Sequence, residues 1–94
     1  MPTMIVKHRV TNFESWKNVF DSMKPIRAKF GWKSTRVLRD VTDPSLITII
    51  NHVATLEQAK QYGASPELRA AMQNGGVQGP PEISFSDDAG DTTY

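Results

Sequence analysis

The stretch Leu46-Ile47-Thr48-Ile49-Ile50-Asn51-His52-Val53 is apolar at both parities, and no other segment limits the fold as severely. An extended chain turns alternate side chains to opposite faces. A strand with Leu46 and Ile50 on one side and Ile47, Ile49 and Val53 on the other therefore has to be covered twice, which makes it a central strand of a layered sheet. A chain of 94 residues forms one domain with one core, so residues 1–94 are read as a single unit. What else it can supply to cover that strand decides the architecture.

Four segments flank the apolar strand on the N-terminal side. Met4, Val6, His8 and Val10 alternate with Ile5, Lys7 and Arg9, the period of a first strand. Thr11 or Asn12 can cap a helix after it. Phe13, Trp16, Phe20, Met23 and Phe30 then recur at helical spacing, with Val19 and Ile26 beside them. Pro25 lies inside this helix and predicts a kink or break near Met23-Lys24, because proline removes a donor and crowds the preceding turn. Gly31 ends it. Trp32 to Val41 reads as a second strand, and Thr42-Asp43-Pro44-Ser45 as the turn that carries it into the apolar strand.

On the C-terminal side, Thr55-Leu56-Glu57-Gln58 matches a capping box, opening a short helix over 56–62 that Gly63 stops. Ser65-Pro66-Glu67 opens another, with Leu68, Ala71 and Met72 facing inward, and Asn74-Gly75-Gly76 closes it. Val77 to Ser86 is a last strand, with Ile83 and Phe85 on its buried face. Gly79-Pro80-Pro81 interrupts it, so it belongs at an edge where missing donors are tolerated. Asp87 to Tyr94 is a flexible acidic tail without periodicity.

The order β, α, β, β, α in two pieces, β is that of an α+β, ferredoxin-like βαββαβ fold with a four-stranded antiparallel sheet. Both helical segments lie on one face of such a sheet. The other face of Leu46–Val53 is then left bare, and a second copy of the chain is the simplest cover, which predicts a homodimer.

Composition removes several classes of function. With no cysteine there is no disulfide framework, no thiolate nucleophile and no Cys-based zinc pattern. The two histidines, His8 and His52, share neither helical spacing nor an adjacent carboxylate, so no metal site is assigned. No cofactor is assigned either. No apolar run is long enough to span a membrane, no leader segment is evident, and a cytoplasmic location is expected. Up to Asp40 the chain carries nine Lys/Arg against three Asp/Glu, and beyond it two against seven. The basic half lacks any nucleic-acid-binding frame and the acidic half would repel phosphate, so nucleic acid is not an expected partner. Complementarity between the interleaved halves is the expected use of this asymmetry. Lys7 and Arg9, on a central strand, then need acids, water or an anion; Glu82 or the Asp87-Asp88 tail, from either subunit, and a bound anion are the alternatives.

His8 shares its face with Val6 and Val10. An apolar wall depresses an imidazole's pKa and leaves it neutral near pH 7, able to take a proton from a phenolic or enolic substrate. Trp16, Phe20, Phe30 and Trp32 suit the walls of a pocket for a flat aromatic molecule, and His52 and Tyr62 are the further polar candidates. The same residues also serve a plain core, with His8 hydrogen-bonded inside it.

The start Val6-Lys7-His8-Arg9-Val10, the helix Phe13-x-x-Trp16-x-x-x-Phe20 and the ending from Ser65-Pro66-Glu67-Leu68 to Gly76-Val77 resemble the dimeric α+β barrel superfamily, and within it the small antibiotic biosynthesis monooxygenase-like proteins. The resemblance covers nearly all of residues 4 to 86. It implies a homodimer with a small-molecule pocket in each subunit between sheet and helices. It also implies, as one activity among the superfamily's several, a cofactor-independent monooxygenase or cyclase acting on an aromatic or polyketide-like molecule. A Val-Lys-His start on the first strand of the superfamily's cyclases carries an active-site histidine, and His8 occupies the matching position. The second histidine those cyclases use late in the chain has no counterpart after His52. The alternative is a non-enzymatic ligand-binding or interaction module.

Overall fold

Short-range hydrogen bonds set the helix starts. In the computed structural model, which describes all 94 residues, the Asn12 side chain accepts from the Ser15 N–H at 2.9 Å and opens α1, Phe13–Ser22. Ser65 does the same for Leu68 at the start of α4, Pro66–Asn74. Thr55 opens α3, Leu56–Gly63, by accepting from the Gln58 N–H at 3.1 Å. Its hydroxyl also donates to the Gln58 side chain at 3.0 Å, in place of the backbone bond of a full capping box. Pro25 breaks the long apolar helix outright: α1 stops at Ser22 and a separate helix, α2, runs from Lys24 to Lys29.

The strands are β1 (Thr3–Val10), β2 (Trp32–Arg39), β3 (Leu46–Val53) and β4 (Val77–Ser86), all antiparallel in the order β2-β3-β1-β4. This is the predicted ferredoxin-like arrangement, with β1 and β3 central. Helices cover one face. Trp16 of α1 packs on Val10, Ile47 and Ile49, and Ala59 of α3 on Met4 and Val53. Ile5, Leu46, Ile50 and the exposed Leu38 lie on the other face, which the chain itself leaves uncovered.

Two expectations need correction, and the partner of Arg9 is found. β2 ends at Arg39 rather than Val41, because the Asp40 carboxylate accepts from the Thr42 and Asp43 N–H groups and starts the turn there. Ile83 and Phe85 point to the helix side but stay 42% and 38% exposed; β4 is an edge strand, and α4 beside it buries no residue that would roof it. Arg9 pairs across the sheet end with Asp43, Nε to carboxylate at 3.1 Å, and not with Glu82 or the tail. Lys7 stands opposite Glu82 in register, without an ion pair. Residues 87–94 form neither helix nor strand.

The sheet ladders are irregular in two places. Trp32 faces Val53 but Ser34 faces His52, so Lys33 is an extra residue in β2. A bulge of this kind re-aims side chains. Trp32 thereby shares the helix-covered face with Val37, although parity would set it with Ser34 and Arg36 on the open one. In the other place Lys7 faces Glu82 and Arg9 faces Gln78, leaving Gly79-Pro80-Pro81 against the single residue His8.

Candidate active site

His8 is only 7% exposed, and its Nδ1 is buried without a hydrogen-bond partner. Prolines 80 and 81 across the bulge have no N–H to offer. Burial holds the imidazole pKa below its ordinary value, with a smaller opposing effect from the residue's own backbone. A ladder of rings leads away from it. Trp16 meets His8 edge-on at 5.6 Å between centroids, Phe20 stacks on Trp16 at 4.9 Å, and the Arg27 guanidinium lies 3.8 Å over the Phe20 ring.

Arg27 lies in α2, beyond the break at Pro25. Its Nη1 donates to the Phe20 carbonyl at 2.7 Å, an acceptor at the end of α1 that also takes the Met23 N–H at 3.2 Å. The residue is 8% exposed and faces no carboxylate.

The opposite wall is Trp32 and Tyr62, edge-on at 4.8 Å, with Phe30 packed behind Tyr62 at 5.3 Å. Asn51 fixes Trp32. Its Oδ1 accepts from the indole N–H at 2.9 Å and from the Thr35 hydroxyl at 3.1 Å, while its Nδ2 donates to the Met4 carbonyl at 3.1 Å. Burial raises the Tyr62 pKa; Arg27 opposes this and Glu67 adds to it more weakly. The tyrosine is therefore a neutral hydroxyl donor at any ordinary pH.

These groups enclose a cavity of about 70 Å³ between the sheet and the helices, lined mostly by apolar side chains, among them Met4, Met23 and Met72. His8, Trp16, Phe20, Trp32 and Tyr62 all line it. His52 does not: it sits on the open face of the sheet beside Thr3, whose hydroxyl is 3.3 Å from Nδ1. A strand residue one position from Asn51 cannot share its face. Arg27 and Asn51 also line the cavity and were not among the expected site residues. Asn51 was legible as the polar residue on the buried parity of β3. Arg27 shares the spacing of the apolar stripe, four residues from Met23 and three from Phe30, and was hidden by its charge. No cluster of three His, Asp or Glu side chains gathers anywhere in the chain, and no helix is long and apolar enough to cross a membrane.

The chemistry open to this arrangement is set by its side chains. An imidazole kept neutral is a base, the rings sandwich a planar molecule, and Tyr62 and Arg27 are donors to an oxygen on it.

No family model matches the chain, and no curated protein matches it. Its fold recurs among solved structures. An antibiotic biosynthesis monooxygenase-like protein from Bordetella bronchiseptica superposes with a TM-score of 0.80 at 12% identity, over 94% of this chain and 96% of that one. SnoaB, a cofactor-independent oxygenase from Streptomyces nogalater, gives 0.78 at 13% identity, over 96% and 94%. A further monooxygenase-like protein from Caulobacter crescentus CB15 gives 0.74 at 17% identity, over 95% and 90%. The resemblance seen in the sequence holds at the level of fold.

Proposed function

We propose, on this shared fold, that the protein is a homodimeric, cofactor-independent oxygenase or cyclase for a small, flat aromatic or polyketide-like molecule, with His8 as the base. The observation that carries this reading is the buried His8, with one nitrogen lacking a partner, on the lining of an apolar cavity walled by aromatic rings. A structural histidine has both nitrogens accounted for. The dimer uses the open sheet face with Ile5, Leu46 and Ile50 at its centre, and a cytoplasmic location goes with the reading.

For a substrate such as anthrone, His8 takes a proton from the carbon between the rings. The carbanion passes one electron to O2 and the two radicals combine as a peroxide, which takes the proton back from His8; its loss of water, with the second hydrogen of that carbon, leaves the quinone. One anthrone and one O2 give one anthraquinone and one H2O. The neighbouring donors hold the ketone oxygen as charge develops on it.

Oxygen uptake with anthrone, without added metal or cofactor, tests this. His8→Ala is expected to lose about 10²–10⁴-fold of the rate, the usual contribution of a positioned base. An unchanged rate in a folded His8→Ala protein, or no turnover by the wild type, refutes the assignment. A second reading is favoured by the size of the cavity, since about 70 Å³ is well below the ~300 Å³ of a typical ligand site. On that reading the protein binds its ligand without transforming it, and anthrone protects the Trp16 and Trp32 resonances without being consumed.

A further inference from the structure

Phe20, Arg27 and Trp32 line the inner cavity and also a second, wider cleft of about 430 Å³ on its outer side. The two spaces therefore adjoin at these side chains. The outer cleft carries four cations, Lys17, Lys24, Arg27 and Lys33, against one carboxylate, Asp21. Lys17 already holds both oxygens of Asp21, at 2.7 and 2.8 Å, so Lys24, Arg27 and Lys33 are left without a counter-charge.

Arg27 is the unusual member. A buried guanidinium is normally matched to an acid, because an unpaired buried charge is costly. Here one of its five N–H groups caps Phe20 and its plane stacks on the Phe20 ring, and no carboxylate of the chain comes within ion-pair distance. Capping explains one donor, not the charge. Lysine would cap as well. A planar fork in a cleft otherwise lined by free lysines fits an incoming carboxylate.

We infer that the molecule taken by this site is an organic anion, whose flat apolar body enters the inner cavity while its carboxylate stays in the outer cleft on Arg27. Lys24 and Lys33 draw it in from solution. The inference rests on the cavity being the substrate site and adds the substrate's charge and orientation. It also accounts for the small inner volume: only the flat body has to fit there. The basic excess of the first forty residues then has a use beyond complementarity between the halves, because all three unpaired cations come from it.

The test compares 1-naphthoate with its neutral isostere 1-naphthamide, titrated into the full-length protein while the two indole N–H signals, Trp16 and Trp32, are followed by NMR. The acid is expected to bind at least about tenfold tighter than the amide, as one charge-assisted hydrogen-bonded pair allows, and to weaken between 50 and 500 mM salt. Arg27→Gln should bring the two affinities to within about twofold of each other. Since Arg27 also caps α1, Lys24→Gln/Lys33→Gln provides an exposed alternative, expected to weaken the acid about threefold and leave the amide unchanged. Equal affinities in the wild type overturn the inference and leave the cavity reading intact. So does an acid preference that survives Arg27→Gln, or an acid affinity that is unchanged in the double lysine variant. If neither compound moves either indole signal, the cavity is not a ligand site and both readings fall.

Discussion

Asn51→Leu is the sharpest test of how the site is held. Asn51 is 3% exposed, and its three hydrogen bonds join three strands: β2 through Trp32 and Thr35, β1 through the Met4 carbonyl, and β3 itself. Leucine keeps the branched skeleton with bulkier methyl ends, so the substitution removes the bonds and any overpacking adds to the loss. The Trp32 indole N–H is then stranded at about 1–3 kcal/mol, and the Met4 carbonyl adds about 1 kcal/mol. The Thr35 hydroxyl can rotate toward water and adds little. A net loss of ~2–4 kcal/mol is a large part of the ~5–14 kcal/mol expected for a domain of this size, and corresponds to a Tm fall of roughly 10–25 °C. Thermal unfolding followed by circular dichroism at one fixed protomer concentration measures it, because association makes Tm concentration-dependent. Trp32 should lose its fixed orientation at the same time, seen in the near-ultraviolet spectrum. Thr48→Val, on the opposite face of the same strand, should change stability by less than ~0.5 kcal/mol. A Tm fall below about 3 °C for Asn51→Leu, with the Trp32 signal unchanged, would refute the view that this network positions the wall.

Two further outcomes rest on the same geometry. The folded imidazole of His8 resists a proton that the unfolded chain accepts near its ordinary pKa of 6.5. Its share of stability is complete above pH 6.5 and is lost as pH falls below that value, levelling off beneath the folded pKa; His8→Gln should flatten this part of a urea-unfolding pH series. Asp40 and Asp43, held low chiefly by hydrogen bonds from their turn, add a separate loss at more acid pH in both proteins, so only the near-neutral limb discriminates. Deleting Lys33 removes the β2 bulge but leaves Trp32 next to Ser34 and opposite Val53, so the ring should stay on the helix-covered face with its emission and its contact with Tyr62 kept. A red shift of the emission would refute the assignment of Lys33 as the extra residue.

The element order was legible because each element carries its own period or cap: the two-faced Leu46–Val53, the alternation of Met4–Val10, the polar caps at Asn12, Thr55 and Ser65. His8, Trp16, Phe20, Trp32 and Tyr62 were legible as candidates by residue type. Their convergence on one cavity was not, since ring-to-ring contacts depend on crossing angles that periodicity does not carry. Arg27 was illegible for a different reason. Its spacing from Met23 and Phe30 puts it on the apolar stripe, but a basic residue is ordinarily a solvated one, and its stacking on Phe20 depends on a side-chain conformation that spacing does not carry. His52 shows the converse, for strand parity alone places it away from Asn51 and therefore off the cavity.

Both irregularities of the sheet lie at the cavity, which bears on what the cavity is for. A sheet whose only task is stability keeps its ladder continuous, because each bulge gives up cross-strand pairing. Here one bulge brings Trp32 to the inner face, and the other sets two prolines that cannot donate against His8. Gly79, with φ +71, supplies the backbone conformation that the second one needs. Either could be removed by ordinary strand residues without disturbing the helices that cover the sheet. The chain instead keeps an unpaired imidazole nitrogen at one end of the ring ladder and a guanidinium without a carboxylate at the other, two departures from the rule that buried polar groups are satisfied within the fold. Departures that converge on one space are explained together by a molecule that enters it, one with an acidic proton for His8 and a negative group for Arg27.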